Sequence, residues 1–306
     1  MSKSFIIGVD IGGTRTKYGL VDIALGKVQD CIILPTEKES SVAFLQQTSD
    51  AITQLKKVAD QNNGNIEGIG FGIPGYINKE AIIETTYGFL TFMENYPLKA
   101  IIEKEYKLTC LLDNDARTIS LGEALYGKGK NHSRVLTLTL GTGVGVGFVV
   151  NKKLNESLPL AHMAGHMKIA DEGELCYCGK TGCLESLVSS TGIISLAKKL
   201  NWQRGLSAES IFDAALKNEP IAVKIINTIV GYLHTGIHNY VNIYAPDIIV
   251  LGGGIAKGLS PYLDRIKGQS YLSAFPGYSF QLQVSELNEE AGIVGSAALF
   301  KTNKAS

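Results

Sequence analysis

The chain has 306 residues, with 29 Lys plus Arg against 29 Asp plus Glu, 45% apolar residues and 19% charged ones. That length fits two domains and that apolar content fits packed cores, while so modest a charge excludes a disordered chain. Zero net charge with no run of five like charges argues against a nucleic-acid partner. The uncharged stretch at residues 135–151 is too rich in Gly and Thr to span a membrane. Residues 5–10, Phe-Ile-Ile-Gly-Val-Asp, read as a buried strand. A turn at 11–16 and an apolar run at 17–21 complete a hairpin. The reading therefore expects no export signal. Together with an odd count of five Cys, this points to a reducing, cytoplasmic setting and not to a disulfide framework.

Further along, Val42, Leu45, Ile52, Leu55 and Val58 recur at helical spacing, with Ser40 or Ser41 as the N-cap. A short buried strand at 68–73 is stopped by Pro74 and Gly75, and another spans 108–113. A third, at 135–140, runs into Gly-Thr-Gly-Val-Gly at 141–145. Ile221, Ile225, Ile229, Leu233 and Ile237 mark a long helix ending near Ala245 and Pro246. A strand at 247–251 then opens into Gly252, Gly253 and Gly254. Strands alternating with helices give an α/β class.

Glycine is the compositional outlier, 34 residues or about 11% against a usual ~7%. Two of its clusters repeat. Gly13, Thr14 and Gly19 are matched by Gly141, Thr142 and Gly147, each set after an apolar strand. Either these are two unrelated hairpins or two copies of one domain. Backbone N–H groups in such turns can converge on an anion, because glycine has no Cβ to block close approach. Neither loop fits a Walker A or a dinucleotide fingerprint. An acid directly before the first loop, Asp10, makes sense beside phosphates mainly through a cation such as Mg²⁺.

At 111–116 the chain reads Leu-Leu-Asp-Asn-Asp-Ala. Acids at a strand end are placed for ligands. The residues alone do not rank Asp113 against Asp115, nor exclude a plain solvated turn. His166 precedes Cys176, Cys178 and Cys183, three thiols within eight residues. Three thiolates and an imidazole satisfy tetrahedral zinc and leave no open position, so such an ion is structural. The alternative is three free thiols.

Taken together, Asp-Ile-Gly-Gly-Thr at 10–14, the 138–147 loop, Asn114-Asp115-Ala116, Gly165-His166 with its cysteines, Gly252 to Gly254 and Ala-Gly-Ile-Val-Gly-Ser at 291–296 resemble the ROK family of sugar kinases. The resemblance implies two ribonuclease-H-like domains of the actin and hexokinase type around a cleft. It expects a smaller N-terminal domain at 1–118 and a larger one at 119–290 carrying a zinc loop at 166–183. A C-terminal helix at about 291–306 would return to the first. It implies an ATP- and Mg²⁺-dependent hexose kinase acting at the 6-hydroxyl, glucose by default, that is often a homodimer.

Asp115 is then the base. Asp10, Gly12, Gly13, Thr14, Gly141, Thr142, Gly143, Gly253 and Gly254 hold the nucleotide. Gly75, Asn114, Asp115, His166 and Glu185 meet the sugar, and His166, Cys176, Cys178 and Cys183 hold Zn²⁺. One departure stands out: the family's Glu-x-Gly-His reads Met163-Ala164-Gly165-His166 here, so a thioether replaces a charged acceptor. Its Pro-Asn is also not clear at residues 85–89. The alternatives are an N-acetylmannosamine or other hexose kinase, and a non-catalytic sugar sensor. A repressor would need a helix-turn-helix ahead of Asp10, for which ten residues leave no room.

Overall fold

The computed structural model describes residues 3–85, 90–155, 160–268 and 277–302. The chain divides into two compact units. One holds Met1–Asn131, Val149–Ser157 and Leu287–Ser306, and the other His132–Phe148 and Leu158–Glu286.

The first unit opens with β1 (Lys3–Ile11), β2 (Arg15–Asp22) and β3 (Lys27–Pro35), followed by α1 (Ser41–Gln61) and β4 (Gly64–Ile73). A small ribbon of β5 (Tyr76–Ile77) and β6 (Ile83–Glu84) leads to α2 (Leu98–Tyr106), β7 (Thr109–Asn114) and α3 (Asp115–Leu125). The sheet order is β3-β2-β1-β4-β7, antiparallel from β1 to β3 and parallel from β1 to β7. Ser40 caps α1 by accepting the N–H of Ala43. The helix buries Phe44, Ala51, Ile52, Leu55 and Ala59, whereas Val42, read as part of the apolar stripe, lies in the first turn and is exposed.

The other face of this sheet is covered by the C-terminal helix, Ala291–Thr302. Small residues let it lie backbone against backbone. A Cβ on Gly8 would overlap the Ile293 carbonyl, one on Gly70 the Ser296 carbonyl, and one on Gly295 the Thr118 carbonyl. Ser296 Oγ also bonds the Val9 carbonyl at 2.9 Å. The sequence reading divided the chain after residue 118. In the structure α3 lies whole in the first unit, packed through Gly122 against Gly295, and that unit runs on to Asn131.

The second sheet has the order β10-β9-β8-β11-β12. Its first strands are β8 (Arg134–Leu140), β9 (Val144–Val150) and β10 (Lys153–Leu154). Four helices follow, α4 (Leu184–Val188), α5 (Ser190–Lys199), α6 (Ala208–Leu216) and α7 (Pro220–Tyr244). Then come β11 (Ile248–Gly252), α8 (Ala256–Leu259), α9 (Leu263–Lys267) and β12 (Gln281–Val284). β11 runs parallel to both β8 and β12. The strand order repeats that of the first sheet, with β8 in the place of β1 and β9 in the place of β2. The two Gly-Thr loops are therefore the same loop of one architecture used twice. Among the described residues no helix is long and apolar enough to cross a membrane.

Candidate active site and metal centre

Two strands of the first unit, β1 and β7, each bring an acid to the end of its sheet, Asp10 and Asp115. β7 ends at Asn114, whose side-chain oxygen accepts the N–H groups of Ala116 and Arg117 at 3.0 and 3.2 Å and so starts α3. Its amide donates to the Gly75 carbonyl at 2.9 Å, tying β7 to the end of β4. Asn114 thus spends its side chain on backbone and on a hydrogen bond to the Asp115 carboxylate, which tempers the rise of that acid.

The two neighbouring acids are then distinguishable. Asp113 is neutralised by Arg117, 2.7 Å away and four residues on. Asp115, the first residue of α3, has no cation among the groups that set its acidity. Burial, and then the negative charge of Asp10, push its carboxyl up to about 6. Asp10, at the end of β1, is raised by its own burial and held back by Lys17. Gly292 of the C-terminal helix lies so close that a Cβ there would overlap the Asp10 carboxyl.

The two hairpin loops are built alike. In the first, the Gly12 carbonyl accepts from Thr36 Oγ1 at 2.7 Å and the Thr14 carbonyl from the Thr36 N–H at 3.0 Å. In the second, the Gly141 carbonyl accepts the Ser190 N–H at 2.8 Å and the Thr142 carbonyl accepts from Thr191 Oγ1 at 3.4 Å. In a trans peptide the C=O and the next N–H point in opposite directions. Holding these carbonyls from behind therefore turns the N–H groups of Gly13, Thr142 and Gly143 away from the brace. That is the arrangement a phosphate needs. Gly141 has nothing within 4 Å of a would-be Cβ, so the loop surface is open.

Next to the second loop lies Glu185 in α4. Its carboxylate accepts the Val144 N–H at 3.2 Å, lies 4.0 Å from Cys176 Sγ, and is raised by burial. It links the loop to a cluster of His166, Cys176, Cys178 and Cys183, whose ligand atoms all lie within 4.8 Å of one another. Cys178 and Cys183 sulfurs are 3.7 Å apart, and His166 Nδ1 is 3.4 Å from Cys176 Sγ. Tetrahedral zinc with bonds of about 2.3 Å to sulfur sets its ligands roughly 3.8 Å apart, so the donor set and its spacing fit that ion. Without a cation, burial pushes Cys176 up to about 12 and raises Cys183. At Cys178 burial is outweighed by hydrogen bonds, from the Lys180 backbone first and then from the other two thiols, which hold it below the ordinary thiol value.

The ROK family matches residues 6–303 of the chain. The chain belongs to the ROK family. It is 32% identical to a glucokinase of Halalkalibacterium halodurans, over all of this chain and 98% of that one. It is 28% identical to a putative xylose repressor of a Caldicellulosiruptor species, of which it covers 77%. Among solved structures, a ROK family glucokinase from Streptomyces griseus in complex with glucose and AMPPNP superposes with a TM-score of 0.81 at 26% identity, covering 96% of this chain and 98% of that one. The fold is the ribonuclease-H-like one of ROK and actin-type ATPases, as the resemblance implied.

In this ROK chain Gly253 has φ +84°, and a Cβ there would crowd the backbone of Leu140, so only glycine turns β11 at that point. The following Gly254 opens onto a cavity of about 430 Å³ lined by Phe212, Asp213, Ile255, Lys257 and Gly258. Of the stretch at 85–89, residues 86–89 lie outside the described residues. Sequence reasoning missed Thr36, Ser190 and Thr191 behind the loops. Single hydroxyl residues in loops and helix starts carry no spacing signal. Met163 is 40% exposed, on the short 3₁₀ turn Ala161–His166.

Proposed function

We propose that this chain is an ATP-dependent hexose kinase in which Asp115 accepts the proton of the sugar 6-hydroxyl. The observation that carries the reading is the state of Asp115. It is the acid of the pair left without a cation, and it is poised near 6 by burial and by Asp10. A base of that strength is half-way to protonation not far below neutral pH, which suits proton transfer from an alcohol late in a loose phosphoryl transfer. Asn114, bonded to backbone and to the Asp115 carboxylate itself, fixes the direction in which Asp115 leaves the strand.

Each hairpin loop offers its outward N–H groups to phosphate oxygens, Gly13 in the first unit and Thr142 and Gly143 in the second, with Asp10, Gly12 and Thr14 completing the one loop and Gly141 the other. Gly253 and Gly254 shape the cavity that takes the nucleoside. Mg²⁺, when bound, offsets phosphate charge, and Asp10 is the buried acid placed to face it. His166, Cys176, Cys178 and Cys183 hold a structural Zn²⁺, which orders the segment bearing Glu185 and has no open position for chemistry.

Glucose is the default acceptor, with a weakness. In a 3₁₀ turn residues i and i+3 eclipse, so Met163 shares the His166 face, where a thioether accepts no charged hydrogen bond. Such bonds are worth about 1.5–3 kcal/mol. The reading therefore includes a high KM for glucose, or preference for a hexose with a less polar group there, such as an N-acyl amino sugar. Met163→Glu lowers the glucose KM at least tenfold; an unchanged KM shows that the thioether is not at the sugar.

The deciding experiment is ADP release over a panel of hexoses and amino sugars, with wild type and Asp115→Asn. The variant loses at least 100-fold in kcat while sugar and ATP still bind. Turnover within tenfold of wild type removes Asp115 from the reaction, and no ADP release with any sugar rejects the kinase.

A further inference from the structure

The imidazole of His166 is engaged at both nitrogens. Nδ1 faces the cysteine cluster, 3.4 Å from Cys176 Sγ, and Nε2 lies 2.9 Å from the phenolic oxygen of Tyr177. The rings meet edge to face, with centroids 4.9 Å apart and planes at 86°. Tyr177 stands between Cys176 and Cys178, so its backbone is part of the ligand loop itself. Its side chain is 58% exposed. Removal of apolar surface from water therefore does not explain why the ring folds back over His166.

We propose that Tyr177 is the positioning residue of the metal centre: its hydroxyl accepts the Nε2–H of His166 and so leaves the Nδ1 lone pair for the metal. The proposal rests on the reading of His166 and the three cysteines as a zinc site. A neutral imidazole carries one proton, and the nitrogen that holds it cannot ligate. An acceptor at Nε2 draws the proton there and fixes the ring plane as well as the tautomer. The phenol, able to donate or accept, must accept in this arrangement and turn its own hydrogen elsewhere.

The same bond joins two segments. The ligand loop closes on itself through Cys176 N–H to the Lys180 carbonyl at 2.8 Å, with an isolated bridge between Leu175 and Thr181. The 3₁₀ turn ending at His166 comes from an earlier stretch of chain. Outer partners of metal-bound histidines are commonly carboxylates, carbonyls or water. Here the partner sits between two of the ligands in sequence, so a loop that has closed around the ion also presents the group that aligns the fourth ligand.

The test uses the full-length zinc-loaded protein. Tyr177→Phe keeps the ring and its edge-to-face contact and removes only the acceptor. In competition with a chromophoric chelator it binds zinc roughly 10–100-fold more weakly than wild type, with unchanged circular dichroism. Long-range ¹H–¹⁵N spectra of the zinc-loaded wild type show His166 protonated at Nε2, and that proton exchanges with water at least tenfold faster in the variant. Zinc affinity within threefold of wild type overturns the role of Tyr177. So does a zinc-loaded wild type with His166 protonated at Nδ1, which needs no variant. A wild type that binds no zinc overturns the metal reading beneath it and is distinguished by metal analysis alone.

Discussion

Asp115 is asked to be a base and a buried charge at once, and the two demands oppose each other. Its carboxyl is raised from 3.8 to about 6 by burial and by Asp10. The base works only when ionised, so kcat/KM falls tenfold per pH unit below about 6 and levels off above it. A rate flat down to pH 5 contradicts the assignment. The stability consequence runs the other way. Because the folded state prefers the protonated acid, its favourable contribution is complete below 3.8 and is lost as pH rises through about 6. At pH 7 the ionised group costs up to about 3 kcal/mol. Asp115→Asn, inactive, is therefore more heat-stable than wild type at pH 7.5 by several degrees, a gain that vanishes near pH 4. Thermal melts at the two pH values check this, and an equal shift at both removes the electrostatic origin. Gly292 belongs to the same scale. It leaves room for the Asp10 carboxyl, which any side chain there would have to displace.

The hairpin loops are functional only as braced elements, and Thr36 is the brace of the first. It holds the Gly12 carbonyl and lies 3.1 Å from Thr16 Oγ1. Thr36→Val keeps the shape and removes the hydroxyl, leaving a half-buried carbonyl without that partner at a cost of about 1 kcal/mol. The nucleotide KM rises about tenfold and the sugar KM stays; equal changes in both show a general loss of fold. What was legible in the sequence divides along the same line. β1, β4, β8 and β11 are buried apolar runs between glycines, and α7 carries a long regular stripe, so pattern reveals them. β3 is a half-buried edge strand whose exposure alternates regularly, but Asp30 on its inner side and the exposed Ile33 on its outer side hide that alternation in the sequence. α3 buries Arg117, Thr118, Ser120 and Glu123 together with its alanines and Leu121. A helix enclosed on nearly all sides shows no stripe. The cysteine spacing was readable because ligands lie close in sequence. The residues alone left Asp113 and Asp115 unranked and only the resemblance chose Asp115; the physical reason is the Arg117–Asp113 ion pair, which the start of α3 creates, and the carbonyl braces join segments far apart in the chain.

At the scale of the molecule the first unit is assembled from three separate stretches of chain, and the last of them fills the face of the sheet marked by Gly8 and Gly70. Removing residues 287–306 uncovers Ile6 and Val21, which pack with Ile293, Ala297 and Phe300. In that truncated protein the amides of β1 and β4 lose protection from hydrogen exchange, whereas those of β8 and β11 keep theirs. Retained protection in β1 shows that the sheet stands without its helix. The order of synthesis gives this arrangement a meaning. Synthesis runs from β1 through the whole second unit before it reaches Ala291–Thr302, so the strand that carries Asp10 waits for that entire unit to be made before its covering helix exists. A prematurely terminated chain keeps every residue of the second unit, yet it leaves an apolar sheet open to proteases and chaperones. A chain that stops short of Ala291 thus lacks the cover of the strand that carries Asp10, and the same missing helix marks it for clearance.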